Sequence, residues 1–576
     1  MNNRSGIFTF LLFILLFGMI GLQILSMIQS DRLYERLNTL LEAVSGRQMT
    51  SYRTESSTDS GSKYPGDEGD WLIESISGEP ATLNELVESS TWSTRWIVSG
   101  NIFEPMVAYE PNEFKLRGIL AEKFSISDDG LEIYFKLKDN IHFSDGTPVT
   151  TDDVIFTFET ITDPNIDAAG YANYFQDVDK YEKINDKEIK FHMKKVYFLS
   201  LEFLGGMPIH PKHVYAFKNA NEFNTRVSNP VGTGPYIFGK WDTGQQVVLN
   251  RNENYWDEKP KIRKKVYKFI TNDTAALQAL QAGEIDYLRP LPEQFGEKSK
   301  DKEFNKNFYC LSYWAAGNTG YFWVGWNQAR PFFADKKVRL AMTLLLDREA
   351  IKEHVLRNPD AQIPTGPFYI YGPQNDPNIK PWPYDPQKAA KLLDEAGWKD
   401  TDGDGIRDKN GIPFKFNYMI ASGLVLHEQV AKLLKDTAAR VGIEVTLDPY
   451  EWSVFTKKVQ ERSFDALSMA WGGGVKSDPY QIWHSSQIEN GSNYVRFNNP
   501  EADALIEEAR QTLDDDKRNV LYHRFHKILH EEQPYTFIYT RPEQRFLNKR
   551  FSNVKIYKLG IDELEWYVPK EKQRYK

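Results

Sequence analysis

Between Pro230 and Trp256 the chain reads PVGTGPYIFGKWDTGQQVVLNRNENYW. Gly232 and Gly234 bracket Thr233 and Pro235 follows, punctuation that calls for a tight loop pinned between structured regions. Tyr236 and Phe238 then alternate with smaller or polar residues, Asp242-Thr243-Gly244 is a turn signal, and Val247 and Leu249 alternate again. Period-two patterning on both sides of a turn predicts strand, turn, strand, each arm with one apolar face. The glycines do not make a phosphate cradle. No Lys-Ser/Thr follows them, and the GxGxxG spacing of a dinucleotide fold is absent.

The 576 residues leave room for about two to four domains. The formal charge is 71 − 80 = −9, and a mildly acidic surface argues against nucleic acid as a main partner. Cys310 is the only cysteine, so no intrachain disulfide and no cysteine-rich metal site can form. The 14 Trp and 30 Tyr are flat, amphipathic side chains, suited to cleft walls and equally to cores.

Residues Ile7 to Ile28 are almost wholly apolar. As a helix they span ~33 Å, enough to cross a bilayer. Arg4 precedes the run, the run is longer than a usual signal-peptide core, no A-x-A site follows, and no cysteine offers lipid attachment. We read residues 7–28 as an uncleaved transmembrane signal anchor, with residues 1–6 cytoplasmic and the bulk of the chain outside. The alternative is a cleaved signal peptide. Arg32 and Arg36 lie on the far side, so the charge rule alone does not orient the segment. Leu33, Leu37, Leu40 and Val44 then repeat at coiled-coil spacing for less than two heptads, or mark a helix that runs on out of the bilayer. Ser45 to Asp70 is rich in Ser, Thr, Gly and Asp. Residues 29–70 therefore read as a helical stalk and flexible tether.

From Trp71 onward strands and helices alternate, as in an α/β protein. Asp129-Gly130 is a hairpin turn, Glu132 to Leu137 alternates as a strand, and Thr151 reads as a helix cap with Asp152 and Asp153 in the first turn. That capping role accounts for the acidic pair better than a catalytic dyad does. Thr274 to Leu288 reads as a helix stopped by Gly283, Phe322 to Asn327 as a buried strand, and Asp335 onward as a helix with Val338, Ala341, Met342, Leu345 and Leu346 on one face. Asp465 to Met469 is a further strand, ending at Trp471-Gly472-Gly473-Gly474. His523, His526 and His530 fall at helical spacing beside an apolar face, which favours a polar helical face over a metal site.

Asp400, Asp402, Asp404 and Asp408 occupy positions one, three, five and nine of an EF-hand-type calcium loop, with Gly405 at the sharp turn. Position twelve is Gly411 where the bidentate Glu belongs. The loop is either a weak Ca²⁺ site or an acidic turn. No HExxH, GxSxG, P-loop or close Cys-His pair argues for an enzyme.

The stretches Pro230–Trp256, Asn101–Glu110, Leu120–Thr160, Met207–His213 and Phe322–Asn327 together resemble the bacterial extracellular solute-binding proteins of the oligopeptide, dipeptide and nickel class (family 5), the capture subunits of ABC importers. The resemblance runs from about Trp71 to about Pro569. It implies a two-lobed periplasmic-binding-protein fold of class II behind the transmembrane helix. Lobe one would be 71–110, 229–320 and 541–569, its extra subdomain 111–228, and lobe two 321–540. It also implies a peptide or other small solute as ligand, an ABC permease as partner, no catalysis, no required cofactor, and a location on the outer face of the cytoplasmic membrane. By position the ligand contacts would be Phe103, Glu104, Trp326, Asn327, Trp471, Gly472, Gly473 and Asp478. Peptide-binding relatives carry an Asp three residues after the tryptophan matching Trp471, where it pairs with the ligand's α-ammonium. Here that position is Gly474, so Glu104 or Asp478 takes the role or the ligand is no free-amine peptide. An anchored ligand sensor that signals to a membrane partner is the alternative to a carrier.

Overall fold

A computed structural model describes residues 64–226, 229–317 and 319–575. The apolar run at 7–28 and residues 29–63 of the expected stalk and tether lie outside the described residues, and the remainder of that tether is corrected: Tyr64 and Asp70 are buried and Glu68 pairs with Arg251, so residues 64–70 belong to the fold. Among the described residues no helix is long and apolar enough to cross a membrane.

The alternating arms around Asp242-Thr243-Gly244 form the expected hairpin, Tyr236–Asp242 against Gln246–Arg251, with Gly244 at φ +71° in the turn. The loop before it is held by backbone contacts. Gly234 N donates to Ile102 O at 2.8 Å, Tyr236 N to Asn101 O at 2.9 Å, and Ser144 N to Gly232 O at 2.9 Å. A Cβ at Gly232 would run into the Ile102 carbonyl, and one at Gly234 into the Asn101 carbonyl. The two glycines are there because two chains pass at backbone distance.

The hairpin closes one side of a seven-stranded sheet. Its order is Phe308–Tyr313, Glu543–Asn548, Tyr287–Leu288, Trp71–Ile76, Lys264–Phe269, Gln246–Arg251, Tyr236–Asp242. Trp71–Ile76 runs parallel to Lys264–Phe269 and to Tyr287–Leu288. A second sheet of five strands has the order Glu444–Tyr450, Lys415–Ala421, Ala466–Trp471, Tyr321–Trp326, Tyr535–Tyr539. Tyr321–Trp326 is buried at every position because each face meets its own core. Phe322, Val324 and Trp326 pack with Val338, Met342 and Leu345. Tyr321 and Trp323 pack with Phe525, Leu529 and Phe537 on the other face.

A third, antiparallel sheet comprises Ala121–Ile126, Glu132–Leu137, Glu188–Met193 and Val178–Lys183. Its alternation places Ile133, Phe135, Leu137, Ile189 and Phe191 inward. The segment after it inserts into the second sheet's layer. Tyr197, Phe198 and Leu199 are buried in the core that holds Tyr522 and Phe525, and Phe198 N donates to Arg510 O at 2.9 Å. Lys476 bridges Glu202 and Asp515, each at 3.2 Å.

The helix Thr151–Thr162 starts one residue earlier than the sequence suggests, with Thr150 as its cap. Thr150 N donates to Asp153 Oδ2 at 3.0 Å, so the acidic residue of the first turn closes the end. Asp153 also accepts from Lys212 N at 2.9 Å, and Asp152 pairs with Lys183 at 2.9 Å, so both carboxylates have structural partners. The Asp335 cap and the Gly283 stop stand where the sequence places them.

The close approach at Gly234 predicts that Gly234→Ala lowers stability by about 2 kcal/mol or more, the cost of forcing apart well-packed chains. Thermal unfolding of the full chain in detergent measures it. A midpoint equal to wild type would refute the close-approach account.

Candidate ligand cleft at two sheet edges

The chain passes between the two large sheets twice, from Tyr313 to Tyr321 and from Tyr539 to Glu543. At the first sheet's edge Tyr313 pairs with Glu543, and Tyr287–Leu288 and Trp71–Ile76 end on that same side. At the second sheet's edge Tyr321 pairs with Trp471, and Lys415–Ala421 and Glu444–Tyr450 end beside them. The carboxyl ends of parallel strands thus meet the crossovers on both sheets. In open α/β sheets that is where ligands bind, because the loops there are free of the ladder and helices begin there.

Trp471 closes its strand half-buried, its ring stacked between Trp323 and Tyr494 at 6.0 Å from each. The glycines after it lie flat on the first crossover. A Cβ at Gly473 would run into the Thr319 carbonyl, and a Cβ at Gly320 into the Trp471 carbonyl. A Cβ at Gly472 would meet nothing within 4 Å, and Gly472 is exposed, so its peptide groups are open to a ligand. Across the crossovers, Arg289 faces Glu543 at 3.5 Å, and Glu543 also pairs with Arg545 at 2.6 Å. Burial pulls the Arg289 guanidinium below its ordinary value, with Glu543 opposing. Trp314 packs edge-on against Tyr371 at 5.2 Å. These groups were missed in the sequence. For Arg289 and Trp314 the only signal there is position, directly after a strand end, and for Glu543 the opening of its strand; Tyr371 has none.

Of the eight expected ligand contacts, Trp471, Gly472 and Gly473 are brought together on this edge. Trp326 and Asn327 are not, and this is a correction. Their strand runs antiparallel to Ala466–Trp471, so Trp326 pairs with Ala466 at the opposite edge of the sheet. Trp326 is fully buried and donates its Nε1–H to Thr536 Oγ1 at 3.0 Å. The Asn327 amide donates to Phe464 O at 2.8 Å and Arg462 O at 3.2 Å, a loop-binding role. Phe103 is also core, stacked on His210 at 4.1 Å. Glu104 is buried and accepts from the Tyr255 hydroxyl at 2.6 Å and Trp256 Nε1 at 3.0 Å. Burial raises its pKa and these hydrogen bonds oppose the rise. It lines a cavity of about 570 Å³ with Arg117, Tyr557 and Asp562, whose wall does not include the Trp471 loop. Asp478 belongs to that loop's continuation, but its carboxylate accepts from Arg510 Nε at 2.9 Å, the Tyr197 hydroxyl at 3.0 Å and Tyr480 N at 3.0 Å. It joins the antiparallel-sheet segment to the second sheet's layer.

In the acidic loop, Asp400, Asp402 and Asp408 bring carboxylate oxygens within 4.8 Å of one another. Asp404 does not join them and accepts from Ile406 N at 2.7 Å. Asp400 accepts from Gly403 N at 2.7 Å and Gly405 N at 3.0 Å, and Asp408 from Thr401 Oγ1 at 2.7 Å. Gly411 replaces the twelfth-position ligand for a local reason. With Asn410 at φ +54° and Gly411 at φ +75°, it makes the two-residue turn of the hairpin Asp408–Lys409 and Ile412–Pro413. The histidines of the helix Asp515–Glu532 do not form the polar face the sequence suggests, because His523 and His530 are half-buried and His526 is fully buried. Buried His526 bonds Thr365 Oγ1 through Nε2 at 2.9 Å, and His530 stacks on Trp382.

Comparison with known proteins accords with this architecture. The family model of bacterial extracellular solute-binding proteins, family 5 (middle region), matches residues 115–523. The chain is 33% identical over 513 residues to the oligopeptide-binding protein AppA of Bacillus subtilis (strain 168), covering 87% of this chain and 91% of the relative. The structure of AppA from Bacillus subtilis in complex with a nonapeptide superposes with a TM-score of 0.73 at 29% identity, over 88% of this chain and all of that one. NikZ from Campylobacter jejuni in complex with Ni(L-His) gives a TM-score of 0.73 at 26% identity, over 86% of this chain and 99% of that one. With two large sheets joined by two crossovers and a family match over most of its length, this chain belongs to family 5 of the bacterial extracellular solute-binding proteins.

Proposed function

We propose that this protein is an extracytoplasmic carrier, held at the membrane by residues 7–28, that captures a peptide between its two sheet edges and delivers it to an ABC permease. The observation that carries this reading is the Trp471–Gly474 loop. It presents an aromatic wall and open peptide groups at the carboxyl edge of the second sheet, against the crossover that leads to the first. A ligand chain lying there is held much as an added strand is, through main-chain hydrogen bonds. It touches both edges only when they are close, so it favours the closed form by the difference in its affinity for the two forms. The reading is of a binding protein and not an enzyme, in keeping with the family.

Gly474 shapes the expected specificity. Both carboxylates that would replace an aspartate there are engaged, Glu104 with Tyr255 and Trp256, and Asp478 with Arg510 and Tyr197. A buried ammonium without a partner costs several kcal/mol. The carrier is therefore expected to bind a peptide and its N-acetylated form within about threefold of each other, an energy difference under 1 kcal/mol. Calorimetric titration of such pairs checks it, and a loss of affinity on acetylation of about a hundredfold would sink it.

Native mass spectrometry of the full chain, released from detergent, identifies the ligand class. A ladder of co-purifying peptide masses is expected. A single non-peptide mass would replace the peptide reading with another solute, and a consistently empty protein would favour the anchored sensor.

We also propose weak Ca²⁺ binding at Asp400, Asp402 and Asp408. With three carboxylates and no bidentate Glu, affinity is expected near the weak end for such loops, a dissociation constant of about 10⁻⁴ to 10⁻³ M. Calcium titration should show a saturable signal that Asp402→Asn removes. No signal up to about 10 mM, well above that range, would refute the site.

A further inference from the structure

The edge of the first sheet that lies opposite the cleft is rich in lysine and arginine. Trp71–Ile76 and Lys264–Phe269 run in parallel towards the cleft, so Asp70 and Arg263 stand at the far edge. Glu543–Asn548 runs the other way and ends there, with Asn548 paired to Phe308. Five segments meet at this edge, 67–70, 261–264, 298–306, 549–550 and 570–575. Hydrogen bonds join them into one surface. Gly69 N donates to Lys261 O at 2.9 Å, and Arg574 N to Asp70 Oδ2 at 2.9 Å. Lys572 Nζ donates to Lys549 O at 3.5 Å, Lys549 N to Asn307 O at 2.8 Å, and Asn305 Nδ2 to Ser299 O at 2.7 Å.

These segments hold twelve Lys and Arg against six Asp and Glu, a local excess of six positive charges in a chain whose net charge is −9. Asp70 and Arg550 satisfy each other out of solvent, Arg263 pairs with Glu68 at 3.1 Å, and Lys306 pairs with Glu303 at 2.7 Å. Lys300, Lys302, Lys570 and Lys572 are exposed, and among the described residues none of them is in an ion pair with a carboxylate. One sign of charge gathered on one edge of an otherwise acidic protein is the footprint of an acidic surface.

The place where the chain enters the fold selects that surface. Residues 67–70, which lead into the first strand, are part of this edge, and Gln573 Nε2 donates to Glu68 O at 3.2 Å. A membrane that holds residues 7–28 is therefore present at high effective concentration beside the edge, ahead of any free polyanion. Lysines near anionic headgroups are attracted at short range, and the attraction falls off within a Debye length. Resting on the reading of residues 7–28 as an anchor, we propose that this basic edge docks on anionic lipid headgroups and parks the protein with its cleft turned away from the membrane. The cleft lies at the opposite ends of the same strands, so docking leaves it open to solutes outside. Delivery to a permease then begins with release of the edge from the lipid.

The test uses the full chain inserted in vesicles of phosphatidylcholine alone or with about 30% phosphatidylglycerol, which makes the surface negative. In a Cys310→Ser background, Asn307→Cys carries a dye on the basic edge, and Thr243→Cys carries it in the exposed turn at the other end of the same sheet. Quenching by headgroup-labelled lipid reads the distance of each dye from the surface. At about 0.05 M salt the dye at position 307 is expected to be quenched at least about twofold more on the anionic vesicles, and at about 0.5 M, where screening acts within a few ångströms, that excess is expected to vanish. The dye at position 243 should show no excess. The variant Lys300→Glu, Lys570→Glu, Lys572→Glu should lose the excess at an unchanged melting midpoint, since all three side chains are exposed. Equal quenching at position 307 on both vesicles, or an excess that survives the charge reversal, overturns the docking edge and leaves the anchor standing. An excess at position 243 as large as that at 307 overturns it in favour of another face. A full chain that leaves the vesicles when detergent is removed overturns the anchor reading and this proposal with it.

Discussion

Arg550 holds the first sheet together. Its Nε donates to Asp286 Oδ1 at 2.8 Å and one terminal nitrogen to Asp286 Oδ2 at 2.5 Å, while the other reaches Asp70 and the first also reaches Trp71 O. Asp70 further accepts from Trp71 N, Arg574 N and Tyr575 N, and Asp286 from Ile73 N. Three buried charges from the start, the middle and the end of the fold are thereby satisfied at once. A buried charge left without its partner costs about 3–5 kcal/mol, so the three segments are ordered together or not at all. This matters because the sheet is assembled from distant pieces, and its second and fourth strands are more than 400 residues apart. The whole second sheet is an excursion from the first that leaves by one crossover and returns by the other.

The crossovers are thin, and glycine lets them be so. Gly320 and Gly473 lie backbone to backbone where the second sheet begins, as Gly232 and Gly234 lie against Asn101 and Ile102 in the first sheet's layer. A side chain at either place would push apart chains that now pass at backbone distance. The second tie between layers is apolar. Tyr197, Phe198 and Leu199 leave the antiparallel sheet and enter the second sheet's core, with the Arg518 guanidinium 4.3 Å over the Phe198 ring. Each buried side chain of this kind is worth about 1.5–3 kcal/mol. The largely buried Asp478–Arg510 and Lys476–Glu202 pairs set the orientation of the same junction.

The candidate site divides along the same line. Trp471, Gly472 and Gly473 came from the family resemblance, and the structure places them together at a strand end against the first crossover. Trp326 and Asn327 have equally suggestive chemistry, yet they sit at the wrong edge. Nothing local distinguishes a strand that runs towards the cleft from one that runs away. Glu104 and Asp478 read as ligand carboxylates in the chain and prove to be tied to Tyr255, Trp256, Arg510 and Tyr197, partners between 32 and 281 residues away. Leu424 and Trp452 stay exposed at ends of second-sheet strands, whereas in the chain an exposed and a buried Trp look alike.

What the sequence by itself determined was whatever depends on a few neighbouring residues. The hairpin at Asp242-Thr243-Gly244, the stop at Gly283, the Asp335 cap, the inward alternation of Glu132–Leu137 and the acidic loop follow from turn geometry, capping and side-chain period. These act over a few residues and are written in order. Tertiary structure alone decided which strand ends share an edge, because strand order and direction are set by pairing between segments hundreds of residues apart. It decided which carboxylates are spent inside the fold, because the partners come from other layers. It decided which apolar side chains stay in water, because burial is a property of what packs above a residue and not of the residue itself.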